Sequence, residues 1–162
     1  MNIFVLDYNP ELCAQYHCDK HVVKMILESA QILCSALAQQ GFVVPYGITH
    51  AYHPCVKWAM AARENRAWLI RLAKALNHEY MWRYRKSIPH KSMGAVKIAE
   101  ACEQKRSAYS NKTAFVQAMP EKYKISGNPV KAYRNYYLGE KMHFAKWTRR
   151  GIPYWINKKM NP

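Results

Sequence analysis

Glu28, His21 and Asp19 are the side chains of this sequence whose types and spacing suit proton transfer, since acids are scarce: 10 Asp or Glu among 162 residues. Glu28 follows His21 by seven residues. On a helix that is two turns, which sets both side chains on one face about 10 Å apart along the axis. A carboxylate held among apolar groups, or pressed toward bound phosphate, has an altered proton affinity and becomes a general acid or base. Asp19 shares that face only if the helix starts or kinks beside it. The plainer reading pairs Glu28 with Lys24 at i−4 and makes Asp19 the cap of a helix restarting at Lys20.

Thiols and imidazoles offer a second chemistry. Cys13, His17 and His21 fall at i, i+4 and i+8, and His50, His53 and Cys55 precede a later helical region. Neutral imidazole and thiolate are zinc ligands. The spacing is nevertheless no finger or knuckle and holds no Cys-x-x-Cys pair, so no metal or other cofactor is expected. Were Cys13, His17 and His21 to bind a metal, Glu28 would be the base acting on its bound water, as in a metal-dependent nuclease. Five cysteines at irregular spacing read as free thiols in a reducing compartment. The apolar run Ile3 to Leu6 is too short for a signal peptide, which points to the cytoplasm. Residues 29 to 56 carry no charge, but Ser, Gln, Gly, Pro and His interrupt them, and no membrane span is expected.

The elements that must position these residues read as helices, giving an all-α, mainly helical single domain over residues 1–162 with a short extended N-terminal segment and long loops. Asn9-Pro10 is a cap followed by proline at the first helical position, and apolar residues recur at helical spacing from Leu12 to Leu37. One helix is therefore expected up to Gly41, kinked near Asp19. Ile3 to Leu6 is either a short strand or an arm packed on the core. Residues 41 to 53 form a loop, and Pro54 opens a second helical region to about Arg85. A shorter helix is expected from Met93 to Ser107, and a brief turn capped by Thr113 ending at Pro120. Asn128-Pro129 then opens a last helix to about Trp147, bent at Gly139.

Charge separates the chain into unequal parts. Residues 1 to 56 hold Lys20 and Lys24 against four acids, whereas residues 57 to 162 hold 23 Lys or Arg against six. A net +15 chain favours a polyanion, because cations that neutralise phosphates release condensed counterions. Rings interleaved with basic groups add stacking for unpaired bases. The expected nucleic-acid contacts are Lys20, Lys24, His50, His53, Arg83, Arg85, Lys86, Arg134, Tyr136, Tyr137, Lys141, Lys146, Trp147, Arg149 and Arg150. Arg149-Arg150-Gly151 is the expected point of contact with backbone phosphate.

Asp19-Lys20-His21, six residues, Glu28 and the helix on through Gln31 resembles the N-terminal catalytic helix of the phage pyrimidine-dimer DNA glycosylases of the endonuclease V type. The segment His53 to Lys86 is similar to that family's central helix in its aromatic and Leu positions, late Glu and basic end. Tyr133-Arg134-Asn135-Tyr136-Tyr137-Leu138-Gly139 resembles its Tyr-rich segment near the C-terminus. The resemblance implies a helical enzyme that flips nucleotides, attacks the sugar C1′ with an N-terminal amine and cleaves the backbone by β-elimination. Glu28 would then be the catalytic carboxylate and His21 a neighbour that positions DNA. The small residue that bears the family's amine has no counterpart, because Asn2 disfavours removal of the initiator, and the amine would be that of Met1. An α-amine titrates near about pH 8, so a fraction is an uncharged nucleophile at neutral pH. Leu27 stands where the family has Arg, and a glycosylase without lyase activity accommodates that change.

The expectation is thus a monomeric DNA glycosylase acting on a damaged or modified pyrimidine by base flipping, with or without lyase activity, with Glu28, His21, Met1 and Asp19 as catalytic residues. RNA is the alternative target. A non-catalytic basic DNA- or RNA-binding protein and the metal-dependent nuclease are the competing readings.

Overall fold

Asn9 opens α1 (Pro10–Tyr16): its side-chain oxygen accepts the Leu12 N–H at 2.9 Å, and Pro10 occupies a position whose N–H would have no helical partner. The structure is a computed structural model that describes residues 1–104 and 111–156. After α1 come α2 (Asp19–Ala38), α3 (Pro54–Ala61), α4 (Arg63–Arg83), α5 (Met93–Gln104), a 3₁₀ turn (Glu121–Tyr123) and α6 (Pro129–Glu140). The protein is all-α, and no strand occurs among the described residues.

The first helix does not kink near Asp19 but stops. His17 and Cys18 are extended, with ψ of 135° and 163°. Distant side chains take over the freed carbonyls: Arg83 donates to the Gln15 oxygen at 2.9 Å and the His17 oxygen at 2.8 Å, and Trp147 Nε1 donates to the Tyr16 oxygen at 3.0 Å. Helix ends need such partners, and here they come from α4 and from the segment after α6.

The second helical region also divides, at Ala62 (φ −149°, ψ 146°). Side chains from the first turn of α4 close the end of α3, Asn65 donating to the Trp58 oxygen at 2.6 Å and Arg66 to the Ala59 oxygen at 2.8 Å. Arg66 is wholly buried and meets Glu103 of α5 at 2.6 Å. Thr113 caps no turn; it exchanges hydrogen bonds with Asn65 at 2.7 and 3.0 Å. The expected end of α5 at Ser107 lies outside the described residues.

α6 ends at Glu140 rather than Trp147, with Gly139 inside it. This glycine serves packing: a Cβ there would run into the Tyr123 ring, 2.8 Å from Cζ. Tyr123 in turn donates to Glu140 at 2.8 Å.

α2 is the central helix, packed against α3, α4 and α5. Its length and composition would also let it cross a membrane, but most of it is buried inside the protein. Ile3, Phe4, Val5 and Leu6 are an extended arm, at most 6% exposed. Asn2 donates to the Ala118 oxygen at 2.8 Å, and Arg134 Nε donates to the Leu6 oxygen at 2.9 Å, so both ends of the arm are tied down.

Candidate active site

The arm crosses the face of α2 that carries His21 and Glu28. The Asn2 N–H donates to Glu28 Oε2 at 2.8 Å, and Lys24 Nζ lies 3.5 Å from Glu28 Oε1. These residues, with Met1, Phe4, Met25, Tyr136 and Lys141, line an open, mainly polar cleft of about 180 Å³. Met1, His21 and Glu28, scattered over 28 positions of sequence, therefore share one site. The charge at the N-terminus also reaches His53 and Cys55 at the start of α3, and Glu28 acts on both.

His21 is held on three sides. Phe4 stacks on it at 4.6 Å, Phe144 meets it edge-on at 5.5 Å, and Tyr137 approaches from α6. The Tyr137 hydroxyl accepts the Cys18 N–H at 3.0 Å and shares a hydrogen bond with His21 Nδ1 at 2.7 Å. Burial pushes the His21 pKa down to about 3, and His17, Lys141 and Lys24 push in the same direction. At neutral pH the ring is uncharged, a hydrogen-bonding group rather than a cation.

Phe4 and Asn2 are site residues that sequence reasoning missed. Phe4 has φ 38°, a left-handed conformation costly for a bulky side chain. It is kept there by its ring contacts with His21, Tyr133, Tyr136 and Tyr137. Asn2 joins Glu28, Ala118 and Tyr133. Neither carries a motif; an asparagine beside an apolar run was the one visible sign.

Asp19 lies at a joint outside the cleft lining. Its carboxylate accepts the Thr148 N–H at 3.0 Å, the Thr148 hydroxyl at 2.7 Å and Arg83 at 3.1 Å, and it anchors the segment after α6 to the start of α2. The break between α1 and α2 falls inside the Cys13–His17–His21 set, and the His17 and His21 rings meet edge-on across it, 6.3 Å between centroids. Cys13 is a fully buried thiol, its pKa pushed up to about 12 by burial. His17, with Nδ1 bonded to the Cys13 oxygen at 2.7 Å, is pushed down to about 4, also by burial. No group of three His, Cys, Asp or Glu among the described residues is placed to hold a metal ion.

The expected nucleic-acid contacts divide by exposure. Lys20, Lys24, His50, Arg85, Lys86, Lys146 and Arg149 are exposed; His53, Tyr136, Lys141, Trp147 and Arg150 are half-buried. Two are corrected. Arg83 is 2% exposed and bonds Glu79, Asp19 and two backbone carbonyls, because the α1–α2 break draws its guanidinium inward. Tyr137 is wholly buried, its hydroxyl committed to Cys18 and His21. Arg134 is partly withdrawn, paired with Asp7 at 3.2 Å and flanked by Tyr16, Tyr154 and Trp155. Arg150 stacks on Trp82 at 4.4 Å and forks onto Glu79, and Arg149 donates to the Trp82 oxygen at 2.7 Å, so of these two only Arg149 is without a carboxylate partner among the described residues.

A larger cleft, of about 380 Å³, is lined by Asn128, Val130, Lys131, Arg134, Asn135, Leu138 and Trp155. It holds no acid, thiol or imidazole and so lacks a group for proton transfer at neutral pH. In comparisons with known proteins, no protein-family model, curated protein or solved structure matches the chain.

Proposed function

We propose that the protein is a DNA glycosylase that acts on a damaged or modified pyrimidine nucleotide flipped from the duplex, with the amine of Met1 as nucleophile. The observation that carries the reading is the meeting of Met1, Glu28 and His21 in one polar cleft whose rim bears Lys24 and Lys141. The amine attacks C1′; the N–C1′ bond forms as the glycosidic bond breaks, and the base leaves with the bonding pair and takes up a proton. Glu28 accepts the proton that the amine sheds and passes it to O4′ as the C1′–O4′ bond breaks and the sugar ring opens; the nitrogen lone pair forms the cationic imine at C1′, which the Glu28 carboxylate stabilises. Lyase activity follows if the proton at C2′ is then removed, the 3′ phosphate leaving and water releasing the amine. His21, neutral, offers a ring nitrogen for a hydrogen bond to the flipped nucleotide, and Tyr136 offers a ring for stacking. Lys24 and Lys141 neutralise the phosphates that flank the flipped nucleotide.

Borohydride trapping on duplex DNA with an abasic site tests this. The expected result is a covalent protein–DNA adduct, lost when the N-terminal amine is blocked by carbamylation. Glu28→Gln should reduce trapping and base release by about a hundredfold or more while leaving binding within about threefold. No adduct with the wild type, and no base release from ultraviolet-damaged or hypermodified DNA, would instead favour a non-catalytic nucleic-acid-binding module. One observation favours that second reading: both oxygens of Glu28 already face partners, the Asn2 N–H and Lys24.

A further inference from the structure

The loop between α2 and α3 carries the two most exposed large apolar side chains among the described residues, Val43 at 93% and Tyr52 at 85%. Single exposed apolar residues are common and call for no explanation. Tyr52 differs because of the support beneath it. His50, in the left-handed region at φ 52°, turns the chain, and its carbonyl accepts the His53 N–H at 2.8 Å. His53 Nδ1 then accepts the Cys55 N–H at 3.1 Å and caps α3. On the other side Thr49 donates its N–H to Ser35 Oγ at 3.0 Å, and that hydroxyl donates to the Thr49 carbonyl at 3.0 Å. The turn is thus fastened at both ends, and the ring between them points into solvent.

Its position relates it to the cleft. Ser35 lies seven residues beyond Glu28, two turns along the same face of α2. His53, the residue after Tyr52, feels the charges of the N-terminal amine, His50 and Glu28. Lys57 Nζ stands 5.9 Å from the centre of the Tyr52 ring, an exposed cation beside an exposed ring. A ring with adjacent cations is the chemistry that meets a base stack between phosphates.

We infer that Tyr52 is a wedge that enters the stack of duplex DNA and fills the space left by the nucleotide drawn into the cleft, with Lys57 and His50 against the flanking backbone. The inference rests on the reading of the cleft as a flipped-nucleotide site. Base flipping breaks stacking on both sides of the target, and a ring driven between the neighbouring bases holds them apart, kinked and partly unstacked. A preformed turn presents that ring without ordering a loop on binding.

The test uses duplex DNA in which thymines flank a tetrahydrofuran abasic-site analogue, probed with permanganate, which oxidises unstacked thymine. Wild-type protein should raise the reactivity of the flanking thymines by about fivefold, Tyr52→Ala should abolish the rise while binding stays within about threefold, and Tyr52→Trp should keep it. On a natural abasic site, Tyr52→Ala should slow cleavage of duplex by about tenfold and leave single-stranded DNA unaffected, since only the duplex has a stack to enter. Unchanged permanganate reactivity in Tyr52→Ala, or none with the wild type, overturns the wedge. A permanganate rise without any trapping or cleavage overturns the glycosylase reading and supports the wedge alone.

Discussion

At the scale of single residues, buried imidazoles give the protein a definite pH response. His21 is pushed down to about 3 and His17 to about 4 by burial, and His53 and His90 are lowered as well. A histidine lowered in the folded state binds its proton mainly when unfolded, so its contribution to stability is complete above its ordinary value of 6.5 and falls away below it. Urea midpoints followed by circular dichroism should therefore drop between pH 6.5 and 4, with a slope near about 1.4 kcal/mol per pH unit for each fully shifted histidine. A flat profile over that window would contradict the buried, neutral state of these rings. Tyr137→Phe removes the hydroxyl that serves Cys18 and His21; it should cost about 1–3 kcal/mol in the same assay, because a buried N–H loses its partner.

At the scale of elements, the caps of α1 and α6 were legible and the breaks only in part: an interruption near Asp19 was expected as a kink or restart, and the one at Ala62 was not. Asn9-Pro10 and Asn128-Pro129 announced α1 and α6, and both asparagine side chains do accept the expected backbone N–H. The stops at His17–Cys18 and at Ala62 carry no Pro or Gly, and helical periodicity runs through both. They exist because arginines distant in sequence or in the next helix bind the carbonyls of α1 and α3 more usefully than a continuing turn would. Arg66 shows the energetic weight of such a joint. Arg66→Ala should destabilise the fold by about 3–5 kcal/mol, measured by denaturant unfolding, since it strands Glu103 as a buried charge. A cost below about 1 kcal/mol would mean that Glu103 readily reaches water or Arg63.

At the scale of the whole molecule, the uneven charge along the chain becomes a shared site. The acid and imidazole of the cleft come from the N-terminal third, while Tyr136 and Lys141 come from the basic remainder, through α6 and the turn after it. Binding to DNA should therefore weaken steeply with salt. Lys141→Ala should lower affinity regardless of sequence and reduce the slope of log affinity against log salt by about 1, as read by fluorescence anisotropy. Arg83→Lys should leave that slope unchanged and reduce stability instead, because Arg83 lies inside the protein.

The sequence by itself determined the helical class, the caps of α1 and α6, the face shared by His21 and Glu28 and the basic character of the last two thirds, since all of these follow from local periodicity and composition. Only the tertiary structure decided that the N-terminal arm lies over Glu28, that Phe4 encloses His21, that Asp19 and Arg83 form a joint, and that Tyr137 is core while Tyr136 borders the cleft. Each of these depends on contacts between residues far apart in the chain. A pattern read along one helix states which side chains share a face, but what covers that face is settled by the packing of all the helices together.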